Sequence, residues 1–92
     1  MDVRDVRRTL TRKLGAVEDR ASRHVFFYLQ YGDKEYRGPK ISHSWRGDLN
    51  DQQVDWLKNP LLLSKEEFEQ LVDCPLTRDA FFNIWVERKG LR

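Results

Sequence analysis

The chain has 92 residues, of which 39% are apolar and 35% charged, with a formal net charge of +2. That length supports one small domain, residues 1–92, with a single modest core, and the even spread of aromatics and aliphatics excludes a disordered chain. No apolar run reaches transmembrane length, and a single cysteine excludes an internal disulfide.

Charge is unevenly divided. Residues 1–47 carry 11 Lys/Arg against 6 Asp/Glu, net +5, and residues 48–92 carry 6 against 9, net −3. The basic half suits an anionic partner such as nucleic acid, and a mixed surface without that role is the alternative. The start, "MDVRDVRRTLTRKLG", has no apolar h-region and does not read as a secretory signal. It also has the Arg-rich look of a transit peptide, against which Asp2 and Asp5 argue, so a cytoplasmic location without membrane attachment is expected. One cysteine and two histidines do not close a structural zinc site without several carboxylates, so neither a metal nor another cofactor is expected.

Val3, Val6, Leu10 and Leu14 recur at helical spacing, with Asp2 as the cap and Gly15 as the end. Ala16 to Asp19 predicts a short first strand. "RHVFFYLQY" (23–31) predicts a second, because it is β-branched, aromatic and short. "GDK" (32–34) reads as a three-residue turn, and "EYRGPKISH" returns as a third strand, an edge or broken strand because Pro39 lacks a ladder donor.

In that register the numbers of facing residues sum to 66. Val25 faces Ile41, Phe27 faces Pro39, His24 faces Ser42 and Phe26 faces Lys40. One face is then apolar, and the other carries His24, Phe26, Tyr28, Lys40 and Ser42. A shift by one residue sets His24 opposite His43 and mixes the faces. Either way both histidines lie at the open end of the hairpin, about 5 Å apart as direct neighbours or about 7–8 Å as diagonal ones.

Asn50 or Asp51 caps the next helix, which carries Val54, Leu57 and Trp56 and ends at Asn59-Pro60. Ser64 and Glu67 form a capping box, with Leu63 and Phe68 as a hydrophobic staple and Phe68, Leu71 and Val72 as the buried side. Cys74, next to Pro75, reads as a small packed residue. Thr77 opens a last helix whose apolar arc, from Phe81 to Val86, either wedges into the core or meets a second subunit, making a homodimer. The order is α-β-β-β-α-α-α, an α+β fold.

Histidine titrates near working pH and suits proton transfer. RNA cleavage needs a base for the 2′-hydroxyl, an acid for the 5′-oxygen, and cations for the crowded phosphate. His24 and His43 are the candidate catalytic pair. Arg20, Arg23, Lys40 and Arg46 are candidate phosphate ligands, and Phe26 and Tyr28 are candidates for stacking on bases. The competing reading is structural: histidines at strand ends and aromatics packed on a sheet.

Several segments, taken in order, carry a resemblance. "VRDVRRTLTRKLGAVEDR" looks like a first helix, a glycine and strand one. "SRHVFFY" is similar to a Gly-Ser-His segment, "KISHS" to a hydrophobic-Pro-His-His segment, and "LNDQQVDWLKNPLLLSKEEFEQL" to a helix running into Leu-Ser-x-Glu-Glu-Phe. Over residues 3–72 the chain thus resembles the HicA-type toxins, small mRNA interferases of toxin–antitoxin modules. The resemblance implies a dsRBD-like α-β-β-β-α core over residues 1–73, with residues 74–92 as a helical extension. It also implies RNA as substrate, metal-independent endoribonuclease activity with His24 at the catalytic position, and an antitoxin-like protein partner. Ser22 and Arg23 replace the family's Gly and Ser, Ser42 replaces its Pro, and only His43 remains of its two histidines there. The alternatives are a dsRBD-like module that binds nucleic acid without cleaving it, and a protein-interaction domain.

Overall fold

The computed structural model describes residues 1–21 and 23–91. Ser22, expected at the position of the resembled family's glycine, lies outside them. The fold is α+β: a three-stranded antiparallel sheet in the order β1-β2-β3, with four helices. The strands are β1 (Val17–Ala21), β2 (His24–Tyr31) and β3 (Lys34–Ser42). The helices are α1 (Val3–Arg8), α2 (Asp51–Lys58), α3 (Lys65–Val72) and α4 (Arg78–Lys89).

α1 does not run to Leu14 as one α-helix. It continues as a π-helical stretch, Thr9–Lys13, in which the Leu14 N–H reaches the Thr9 carbonyl at 3.0 Å. Within this stretch Thr11 Oγ1 donates to the Arg7 carbonyl at 2.9 Å, a side-chain-to-backbone bond of the kind that bends helices. The wider turn keeps Leu10 and Leu14 on the face of Val6, and all three are fully buried.

The hairpin register departs from the single sum of 66. His24, Val25 and Phe26 pair with Ser42, Ile41 and Lys40 as expected. Beyond them Tyr28 pairs with Arg37 and Leu29 with Tyr36, so the sum becomes 65. The turn therefore has two residues, Gly32-Asp33, between the paired Tyr31 and Lys34. The difference is absorbed by a β-bulge in which Gly38 and Pro39 together oppose Phe27. A Cβ added at Gly38 would lie 2.5 Å from the Phe27 carbonyl oxygen, so only glycine permits this approach. Pro39 offers no N–H to the ladder, and the bulge is the place where none is required.

The inner sheet face, Val25, Phe27, Leu29 and Ile41, packs on Val6, Leu10 and Leu14, on Leu57 of α2, on Phe68 and Leu71 of α3, and on Phe81 and Trp85 of α4 in one core. Each of these side chains is fully buried or within 1% of it. α4 closes the turn end of the hairpin, where Tyr31 stacks on Phe82 at 5.9 Å and Tyr36 meets Trp85 edge-on at 5.1 Å. Most of its wide apolar arc is thus spent inside the chain. Two sequence expectations fail here. Cys74 is exposed, with φ 88°, because it follows the α3 C-cap Asp73 in a left-handed turn. Trp56 is 52% exposed, because it sits out of phase with the buried stripe Val54, Leu57 and Leu61.

The expected caps form: Asp2 caps α1, Asn50 rather than Asp51 caps α2 and pairs reciprocally with Gln53, Ser64 pairs with Glu67, and Thr77 caps α4. Glu67 also ties α3 to α4, accepting from Arg88 Nη1 at 2.7 Å and Nη2 at 2.8 Å, while Arg88 Nη1 reaches the Leu62 carbonyl at 2.7 Å. The Arg88 guanidinium, and after it the Ser64 N–H, hold the Glu67 carboxyl at about 2, below its ordinary 4.5. A depressed carboxylate adds stability above its unfolded pKa and loses it as pH falls through the folded one.

Two predictions follow from packing and charge. Gly38→Ala lowers stability by about 1–3 kcal/mol, read as a lower urea midpoint; an unchanged midpoint would contradict the close approach. Glu67→Gln costs on the order of 1 kcal/mol near neutral pH, allowing for partial solvent screening. Its gap from wild type closes as pH falls from about 4.5 towards 2, and a gap constant with pH in thermal melts contradicts the assignment.

Candidate nucleic-acid interface

The bulge decides what the outer sheet face presents. In the simple register Arg37 falls opposite Leu29, on the apolar side. In the observed one it pairs with Tyr28 and turns outward. Arg37 Cζ then lies over the Phe26 ring, 5.3 Å from its centroid. Such stacking holds a guanidinium near an aromatic face while leaving its donors free for a ligand. His24, next on the same face of β2, has its ring 6.3 Å from that of Phe26, tilted by 54°.

β3 is an edge of the sheet, and α2 stands beside it. Trp45, just past β3, stacks on Trp56 of α2 with centroids 6.0 Å apart and planes 14° apart. The two indoles and the outer face of the hairpin enclose an open cleft of about 580 Å³. His24, Phe26, Arg37, Lys40, Trp45 and Trp56 line it, and Gly38, Pro39, Ser42 and Pro60 complete the lining. Two cations and no carboxylate line this cleft among the described residues. Ser42 Oγ lies 2.9 Å from Ser44 Oγ at its edge, a polar pair that can donate or accept. The combination offers π-faces for planar rings, cations for an anionic chain, and one imidazole.

The sequence-named residues divide. His24, Phe26 and Lys40 meet in the cleft. Tyr28 shares their sheet face, paired with Arg37, outside the cleft lining. Arg20 is on the far edge strand at the register position of inward-facing Val25, 3.5 Å from Glu18 Oε2. Arg23 lies exposed in the β1–β2 turn, where its carbonyl accepts from the His43 N–H at 3.1 Å. His43 is exposed beyond the end of β3 and does not line the cleft. Arg46 donates through Nη1 to the carbonyls of His43 and Trp45 and lines a neighbouring pocket.

Sequence reasoning missed Arg37, Trp45 and Trp56. Phase against Val54 and Leu57 was a sufficient signal for Trp56. Nothing short of the bulge reveals Arg37. Among the described residues no group of three or more His, Cys, Asp or Glu is arranged to hold a metal ion, and no helix is long and apolar enough to cross a membrane. Comparison of the chain with family models, with curated proteins and with solved structures gives no match.

Proposed function

We propose that the protein binds single-stranded RNA in this cleft and cleaves it without a metal, as a HicA-like ribonuclease on a dsRBD-like core. The observation that carries the reading is the gathering of His24, Phe26, Arg37, Lys40, Trp45 and Trp56 around one open cleft. Aromatic walls hold unstacked bases and reject a duplex whose bases are already paired. Arg37 and Lys40, about the bulge, hold the phosphate from one side.

The chemistry assigned to the site is transesterification. His24 takes the proton of a 2′-hydroxyl, the 2′-oxygen bonds to the adjacent phosphorus, and the phosphorus–5′-oxygen bond breaks. Arg37 and Lys40 stabilise the extra negative charge on the phosphoryl oxygens. The departing 5′-oxygen takes its proton from water, which the open cleft admits. The products are a 2′,3′-cyclic phosphate and a 5′-hydroxyl. An antitoxin-like partner would silence this reaction by covering the cleft.

A second reading is favoured by one observation: His24 is the single histidine lining the cleft, with His43 outside it. On that reading the site binds RNA and does not cleave it.

Cleavage of a mixed-sequence RNA in EDTA separates them. The ribonuclease reading predicts cyclic-phosphate products with wild type and a rate about 10²–10⁴-fold lower for His24→Ala, at nearly unchanged RNA affinity. RNA left intact by folded wild type, yet bound with strong salt dependence, transfers the site to the binding-only reading.

A further inference from the structure

A second basic pocket adjoins the cleft and shares Trp45 with it as a wall. It is built by the start of the chain. The Val3 N–H donates to the Gly47 carbonyl at 3.0 Å, and the Leu49 N–H to the Met1 carbonyl at 2.8 Å. These bonds strap α1 against the loop after β3 and bring Arg4 and Arg7 beside Arg46 around a space of about 290 Å³.

Three arginines face one carboxylate there, that of Asp2. Asp2 is already engaged: its Oδ1 accepts from the Arg4 backbone N–H at 2.7 Å and from Arg4 Nε at 3.4 Å. The Arg7 Nε–H is buried without a hydrogen-bond partner. A buried guanidinium N–H left unpaired costs free energy, and a small shift of the Arg7 side chain towards an anion in the pocket would remove that cost. Three guanidinium groups line this one small space, Arg46 with its Nη1 already on the His43 and Trp45 carbonyls, and their remaining planar donors suit the oxygens of a phosphate group.

We infer that Arg4, Arg7 and Arg46 form a phosphate-binding subsite, which takes a phosphate of the strand lying in the neighbouring cleft. The anion site stands on its own geometry, and only its link to a strand rests on the RNA reading. The phosphate is either an internal phosphodiester or a 5′-terminal monophosphate, and the two are separated by experiment.

The test uses the full ¹⁵N-labelled chain. Inorganic phosphate is titrated while arginine Nε–H resonances are followed. The Arg7 resonance is expected to move saturably, and Arg4→Gln to weaken the apparent affinity. Arg4 has an 86% exposed side chain, so this variant reads the site even should Arg7→Gln fail to fold. An Arg7 resonance that does not respond overturns the subsite. RNA affinity is then compared for 5′-phosphorylated and 5′-hydroxyl strands, in the His24→Ala background so that the strands stay intact. Arg7→Gln is expected to weaken binding about tenfold or more and to flatten the salt slope by about one. A loss confined to the phosphorylated strand assigns the terminal phosphate, and equal losses assign an internal one. No loss with either strand overturns the link to the cleft. Phosphate binding without any RNA binding leaves the anion site standing and sinks the RNA reading.

Discussion

The approach of Gly38 to the Phe27 carbonyl governs where the side chains of β3 point. At that bulge two residues of β3 oppose one of β2, and every position before it changes face relative to a regular ladder. Arg37 leaves the apolar side and comes to rest over Phe26. Lys40, three residues further on, still faces outward opposite Phe26. A regular strand cannot place residues three apart on one face, because its period is two. The two cations of the cleft therefore depend on a glycine that carries no functional group.

Around that edge the chain combines elements that are weak alone. β3 is an edge strand, and exposed edges invite unwanted pairing. Here a bulge interrupts the edge and α2 stands beside it, which both protects the sheet and walls the cleft. The stacked pair Trp45 and Trp56 spans the gap between the end of β3 and the helix. The N-terminal strap then leans α1 on the next loop and carries the basic surface beyond Trp45 to Arg4, Arg7 and Arg46. The aromatic cleft and the arginine pocket thus form a continuous surface, with Trp45 at the junction.

Much of this was legible in the sequence. The Ser64–Glu67 capping box and the cap at Asn50 formed where the sequence set them, since caps depend on a few neighbours only. The apolar periodicity named the core, and the pairing of His24 with Ser42 followed from keeping apolar residues on one side. What was hidden depended on backbone geometry. A Gly-Pro pair signals a break in a strand without saying on which side of it the register changes, so the outward turn of Arg37 could not be read from it. An extra residue in the turn and an extra residue in the strand give similar apolar patterns, so the sequence does not separate a three-residue turn from a two-residue turn with a bulge. The Arg4–Arg7–Arg46 pocket needs the long-range strap between Met1–Val3 and Gly47–Leu49, which no local pattern encodes. His43 shares the open end of the hairpin with His24 in sequence terms, yet the chain turns away after Ser42 and leaves it outside the cleft.

The central claim is that the bulged hairpin edge and α2 form a seat for single-stranded RNA. The most direct measurement follows the three indole N–H resonances while a short unstructured RNA is added at low salt. Trp45 and Trp56 line the cleft and are predicted to shift together and saturably, whereas Trp85, 1% exposed in the core, stays in place. A duplex of the same sequence should leave the cleft pair nearly unmoved. Trp45 and Trp56 unmoved by the single strand, with the protein folded, would contradict the account.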